Sequence, residues 1–295
     1  MEHLNEKNFN IIPEPEKESV VLEQYDKLFE RIEDADILPS FNNENEWSIE
    51  ELEQTMSQVF FEYGKTALDT NTGKIYTTLS GGLDSTLALA LLRKEFPSAE
   101  IITFSMGGTE NHPDITHARL AAKKFDTKHH EFIPTSDEIL ESLTEYRSKL
   151  PKINLENACK TGDTDVYLLY KYISKFNPQL LLAHDGIDEL MGGYWNHRKD
   201  MSQTEREMNY KYFWNRLIPD NLMPLTATAN NFGIDLLFPY LDERIVKTIS
   251  NIPLLNRSSI EVSKEPLRTI AQTLGVPKEI LTRSKRGQVG MLDLE

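Results

Sequence analysis

The sequence predicts an α/β fold: a mainly parallel sheet with helices on both faces, followed by a smaller α-rich C-terminal lobe. Three observations carry this expectation. Between Lys74 and Ala183, short runs rich in β-branched and apolar residues alternate with stretches of helical periodicity, as repeated βαβ units do. The run Gln179–Ala183 is almost continuously apolar, the composition of a strand covered on both faces. After about Tyr194 the strand signals fade and helical patterns take over.

The opening stretch to about Glu46 contains Ile12–Glu18 (IPEPEKE) and Phe41–Glu46 (FNNENE), and reads as a tail or partly ordered acidic segment. A helix is expected over Ser48–Tyr63. Ser48 and Glu51 fit a capping box, and Ile49, Leu52, Met56, Val59 and Phe60 recur at helical spacing. Asp69–Gly73 is a turn, Lys74–Leu79 a strand and Thr86–Phe96 an apolar helix. The alternation continues with a strand at Ala99–Ser105, a helix at Ile115–Phe125 and a strand at His129–Ile133. A helix at Val166–Phe176 and a strand at Gln179–Ala183 complete it. Gln203–Leu217 and Arg244–Ile252 are expected helices of the C-terminal part. The expected organisation is an acidic segment over 1–47, an α/β core over 48–200 and a helical part over 201–295.

Composition narrows the function. The 295 residues include a single cysteine, Cys159, which excludes an internal disulfide framework and an all-Cys metal site. There is no apolar run of membrane-spanning length and no apolar or Arg-rich start, so a cytoplasmic protein without membrane partners is expected. The net charge of −15 argues against a general nucleic-acid binder. Residues 1–50 hold 14 acidic and 4 basic side chains, so most of that charge lies in the first segment. A polyanion would still need local bases or a metal ion.

Chemistry in an open α/β sheet gathers beyond the carboxyl ends of the strands. After the first confident strand comes Ser80-Gly81-Gly82-Leu83-Asp84-Ser85-Thr86, leading into a helix. Two glycines let the backbone turn sharply and approach a ligand, and Ser85 or Thr86 could cap the helix whose first N–H groups face an anion. The string matches neither the Walker nor the dinucleotide glycine pattern, and it holds no lysine. Asp84 would repel a phosphate unless a divalent cation lay between them, or it is simply a capping residue. His129 and His130 alternate across a strand and no third ligand is evident, so structural roles are expected for both.

The Ser-Gly-Gly-Leu-Asp-Ser string between strand and helix resembles the pyrophosphate-binding loop of the N-type ATP pyrophosphatases, which split ATP into AMP and pyrophosphate. Further segments are similar, in order, to the synthetase domain of class B asparagine synthetases. These are Phe104–Gly108, Pro113-Asp114, Thr127–Glu131, Leu182–Tyr194, Phe238–Asp242, Lys264–Arg268 and Arg283–Gly287. The resemblance implies an adenine nucleotide α-hydrolase-like, Rossmann-like fold with ATP and Mg²⁺ as cofactors. It implies nucleotide contacts from Leu79, Ser80, Gly81, Gly82, Asp84, Ser85, Thr86, Met106, Ala183, His184, Gly186 and Lys264. Asp84 and Asp188 would share the Mg²⁺, Lys285 would bring positive charge to the α-phosphate, and Asp185 would handle the proton of the incoming amine. Lys264 and Arg268, four residues apart, could instead pair with Glu265 or Glu261.

The implied reaction joins a carboxylate to ammonia through an acyl-adenylate, most simply aspartate to asparagine. A related synthetase using another carboxylate or amine (a lactam- or peptide-modifying enzyme), and a non-catalytic nucleotide-binding relative, are the alternatives. Three departures bear on it. Only 73 residues precede the first strand, and Glu2 stands where the family's nucleophilic cysteine would follow the initiator methionine. Ammonia is therefore expected free or from a separate glutaminase subunit. Ala183-His184-Asp185-Gly186-Ile187-Asp188 replaces the family's Ser-Gly-Glu-Gly-Ser-Asp, so Asp185 is one methylene shorter than the family's glutamate. Thr161–Thr164 lacks the arginine that the family uses in its substrate pocket.

Overall fold

A computed structural model describes residues 41, 46–149 and 161–283. Helix α1 (Ile49–Thr70) starts where Ser48 Oγ accepts from the Glu51 N–H at 3.0 Å. It runs seven residues beyond the expected end at Tyr63, stopping where Thr72 and Gly73 take positive φ. Strand β1 (Lys74–Thr78), helix α2 (Leu83–Glu95), strand β2 (Glu100–Met106), helix α3 (Pro113–Lys124) and strand β3 (Lys128–Phe132) follow the expected alternation. Helix α4 (Ser136–Lys149) was not foreseen. Helix α5 (Thr161–Ser174) and strand β4 (Leu180–Leu182) complete the alternation.

Beyond β4 lie a short helix α6 (Ile187–Met191), α7 (Gln203–Leu217) and α8 (Met223–Asn231), the last two joined by a π-helical turn at Ile218–Leu222. A strand absent from the sequence expectation, β5 (Asp235–Leu237), pairs with β4. Helices α9 (Glu243–Ser250), α10 (Leu254–Arg257), α11 (Glu265–Thr273) and α12 (Lys278–Leu281) end the described chain.

All pairings are parallel and the strand order is β3-β2-β1-β4-β5. The chain steps outward from β1 to β3, then crosses to the other side of β1 to lay down β4. The carboxyl ends of β1 and β4 at that reversal are where open α/β sheets bind their ligands. Both faces of the sheet are covered. Ile75, Ile101, Leu180 and Leu182 pack into one core with Leu52 and Phe60 of α1, Leu87 and Leu91 of α2, and Ala118 of α3. On the opposite face Phe104 sits 6.4 Å from Tyr172 of α5 and 5.0 Å from Phe176 in the turn that follows it. Ile245, Ile249, Leu267 and Ile280 of the C-terminal helices join the first core.

The adjacent histidines separate as strand alternation requires. His129 lies 2.8 Å from Thr103 Oγ1 and 3.1 Å from Ser105 Oγ, whereas His130 stacks on Phe104. Burial pushes His129 down to about 4, so its ring is neutral near pH 7. Among the described residues, no group of three or more His, Cys, Asp or Glu side chains could hold a metal. No described helix is long and apolar enough to cross a membrane.

Candidate active site

The loop after β1 is shaped by its neighbours. The Leu79 N–H still donates to Phe104 O at 2.7 Å, continuing the sheet, and its side chain is buried in the core. Gly81 then turns with φ +66°, and a Cβ at this position would overlap backbone atoms of His117 and Ala118 on α3. The cap of α2 differs from the expectation. Gly82, in extended conformation, is the N-cap, and no side chain caps the helix. Ser85 and Thr86 lie inside the first turn. Ser85 Oγ meets Ser80 Oγ at 3.1 Å, while Thr86 Oγ1 is buried and has no hydrogen-bond partner among the described residues. The first-turn N–H groups of α2 are thus left for an external acceptor.

Two carboxylates and one ammonium meet beside this loop. Asp84, on the first turn of α2, and Asp188, on α6, converge on Lys264 Nζ. The distances are 2.6 and 2.7 Å to the two Asp84 oxygens and 2.5 Å to Asp188 Oδ1. Burial alone would lower the Lys264 ammonium, but the carboxylates outweigh it and hold it above its ordinary value. Lys264 does not pair with Glu261 or Glu265, because it is the N-cap of α11 in a left-handed conformation, φ +56°. Its N–H donates to Ser258 Oγ at 2.9 Å, and that hydroxyl lies 2.7 Å from Met191 O at the end of α6. Gly193 is a glycine because a Cβ there would overlap the Asp188 carboxylate and Lys264 Cε.

Arg257 secures the same region from below. It is buried and donates to Leu190 O at 3.1 Å, Ile252 O at 2.8 Å and Ser250 O at 3.2 Å. Arg268 is likewise structural, donating to Ser263 O at 2.7 Å and to Leu281 O. Arg283 donates to Ser80 O at 3.0 Å and pairs with Asp114 of α3, so it clasps the loop.

At the end of β4, the Ala183 N–H donates to Leu237 O at 2.8 Å, and Gly186 takes φ +92° as the N-cap of α6. His184 Nε2 lies 2.6 Å from Thr77 Oγ1, which itself donates to Leu182 O at 2.9 Å. With its one hydrogen so used, Thr77 accepts from the His184 Nε2–H. His184 Nδ1 is then a bare lone pair, and among the described residues it has no partner. Burial pushes His184 down to about 4, so the ring is neutral.

Asp185, the next residue, is half-buried and close enough for its charge to raise Tyr170, Glu189 and Tyr194. The sequence did not single out Glu189. It is buried, accepts from Tyr194 Oη at 2.6 Å and from Asn221 Nδ2 at 3.2 Å, and is pushed up to about 7 by burial and by Asp188. Asn221 reaches it from the π-helical turn. Only the Asp-Glu pair at 188–189 hinted at this trio.

Among the expected site residues, Ser80, Gly81, Gly82, Asp84, Ser85, Asp188 and Lys264 come together around the loop after β1. Met106 ends β2, next to β1, and is buried. Lys285 and Cys159 lie outside the described residues, and of Thr161–Thr164 the structure describes only the backbone, as the first turn of α5.

A family model described as asparagine synthase matches residues 70–225 and 205–292. The asparagine synthetase [glutamine-hydrolyzing] of Rattus norvegicus is 31% identical over 219 residues, covering 72% of this chain and 38% of the relative. That of Homo sapiens is 30% identical over 221 residues, with the same two shares. The chain thus spans 38% of the length of these curated relatives. Among solved structures, an NMN synthetase from Francisella tularensis superposes with a TM-score of 0.44 at 14% identity, covering 83% of this chain and 78% of that one. The family model matches well over half of the sequence, and its match takes in the loop after β1, Asp84, Asp188 and Lys264. The chain belongs to the asparagine synthase family.

Proposed function

We propose that this chain is an ATP-dependent, AMP-forming carbon–nitrogen ligase that converts aspartate to asparagine with ammonia. A carboxylate is a poor electrophile, so its oxygen attacks the α-phosphorus of ATP. Pyrophosphate leaves and an acyl-adenylate forms. Ammonia then adds to the acyl carbon, loses a proton and expels AMP.

One observation carries the reading: an uncapped helix N-terminus, entered through Gly81 and Gly82, opens beside two carboxylates that share one cation. The N–H groups of α2 suit phosphate oxygens, an interaction worth about 0.3–2 kcal/mol per charge. Two carboxylates against one ammonium leave a net charge of −1, which by itself repels a polyphosphate. Asp84 and Asp188 are hard oxygen donors from two different elements that converge on one point, and this fits Mg²⁺ completed by phosphate oxygens and water. The ion would neutralise charge on the leaving pyrophosphate. Arg283 holds the loop on α3, so the helix N-terminus is preorganised for phosphate oxygens.

Asp185 is the group for the amine's proton, and Lys285, two residues after Arg283 in sequence, is the charge for the α-phosphate. Asp185 and the arginine-free stretch Thr161–Thr164 favour one second reading, the same adenylation with a different carboxylate or amine. Nitrogen should come from ammonium and not from glutamine, because the one cysteine, Cys159, lies inside the synthetase-like stretch. The test is asparagine formation by the purified chain from aspartate, ATP and Mg²⁺, with ammonium or glutamine supplied separately. Asparagine from ammonium alone is expected. Glutamine-driven synthesis would overturn the nitrogen assignment, and AMP release only with other carboxylates would select the second reading.

A further inference from the structure

We propose that Lys264 is the resident cation of the Asp84–Asp188 pair: its ammonium holds both carboxylates in the metal-free chain and must leave them before a divalent cation binds there. The inference rests on the functional reading only in taking these two aspartates as a cation site.

The ammonium is held by both carboxylates where it stands. Three carboxylate oxygens lie within 2.7 Å of Nζ: both oxygens of Asp84, and Oδ1 of Asp188. The residue is only 3% exposed, so no water layer separates it from the pair. Its backbone is fixed at φ +56°, which a lysine adopts at a cost of about 1–2 kcal/mol, and the Ser258 hydroxyl holds that turn to the end of α6. Gly193 closes the other side, with no room for a methyl group between Asp188 and the lysine stem. Backbone strain, a hydroxyl clamp and a missing side chain all serve to put one ammonium between two carboxylates.

A divalent cation on these carboxylates would sit close to the ammonium in a half-buried site, where the two positive charges repel. The carboxylates keep 23% and 20% of their side-chain surface open, so an incoming ion reaches them from solvent while the lysine is shielded. Exchange therefore replaces one positive charge by two, taking the net −1 of the trio to a neutral metal–carboxylate group and leaving the released ammonium without its counter-ions. Lys264 then has a phosphate oxygen to go to only if nucleotide arrives with the metal. The arrangement makes metal binding weak without nucleotide and couples the two.

The experiment titrates Mn²⁺ alone, with no nucleotide, into wild type and Lys264→Met, following free Mn²⁺ by its electron paramagnetic resonance signal. Removing a cation beside a carboxylate raises its affinity for a proton by about 10-fold or more, and the same factor is expected for another cation. Lys264→Met should bind one Mn²⁺ at least about tenfold more tightly than wild type. Equal affinities, or no Mn²⁺ bound by the variant, would overturn the proposal. A second measurement uses the wild-type chain, so it stands if the variant does not fold. Acetylation by a soluble amine reagent, mapped by peptide mass spectrometry, should be slow at Lys264 relative to Lys94, whose side chain is 43% exposed, and should accelerate with Mg²⁺. Reaction of Lys264 at the rate of Lys94 without metal, or a rate that saturating Mg²⁺ leaves unchanged, would contradict it. None of these readouts involves turnover, so their failure leaves the ligase reading to its own assay.

Discussion

Replacing Gly81 by alanine asks whether the phosphate loop is held in shape by the helix it crosses. Gly81 has φ +66°, a conformation that costs a non-glycine residue about 1–2 kcal/mol. The added methyl group would also overlap Ala118 N and the His117 carbonyl carbon, backbone atoms that cannot rotate away. Forcing loop and α3 apart adds about 1–3 kcal/mol, for a total of about 2–5 kcal/mol. Gly73 is the matched control: its φ is +89°, but nothing lies within 4 Å of its missing Cβ, so Gly73→Ala carries the backbone cost alone. The clash is the difference between the two variants. In a domain of this size it should separate their melting temperatures by about 2–12 °C in calorimetry, Gly81→Ala being the lower. Gly81→Ala should also lose at least about tenfold in ATP-dependent AMP release, since the donors of α2 no longer meet the phosphates in line. Equal melting temperatures for the two variants would refute the claim that α3 dictates the loop.

Two further outcomes follow from the site. His129 and His184 are both pushed down to about 4 by burial, whereas an unfolded histidine titrates near 6.5, so the unfolded chain binds more protons between those values. Stability should therefore fall as pH drops from about 6.5 towards 4, by about 1–3 kcal/mol for each ring; urea midpoints across this window measure it, and a His129→Gln, His184→Gln variant that keeps the full slope would disprove the assignment. Asp185→Glu restores a longer side chain at the amine-handling position and should alter the dependence on ammonium more than the affinity for ATP, as steady-state kinetics would show; an effect confined to ATP would place Asp185 in the nucleotide site instead.

Strands β1 to β4 and the glycine loop after β1 were legible because they rest on local signals. Strand β1 and the glycines after it are neighbours in sequence, and the core face of α1 shows in its spacing. What escaped depends on distant partners. Lys264 lies 180 residues from Asp84, and no local pattern marks a lysine in a left-handed turn as an active-site counter-ion. Strand β5 is three residues long, too short to display alternation, and is a strand only because β4 offers it backbone partners. Glu189 acquires its character from Tyr194 and from Asn221, which a π-helical turn brings to it from 32 residues away. The cap of α2 moved from Ser85 or Thr86 to Gly82 because the loop turns earlier than side-chain preference suggested, and this leaves the helix end open to a ligand.

The most direct test of the central claim is the identity and ratio of the nucleotide products. With aspartate, ammonium, ATP and Mg²⁺, the chain should release AMP and pyrophosphate in equal amounts, one of each per asparagine formed, and Asp84→Asn should lower that rate by orders of magnitude. Release of ADP and inorganic phosphate as the stoichiometric products would contradict the account, because the open end of α2 and the Asp84–Asp188 pair would then not be serving a pyrophosphate leaving group.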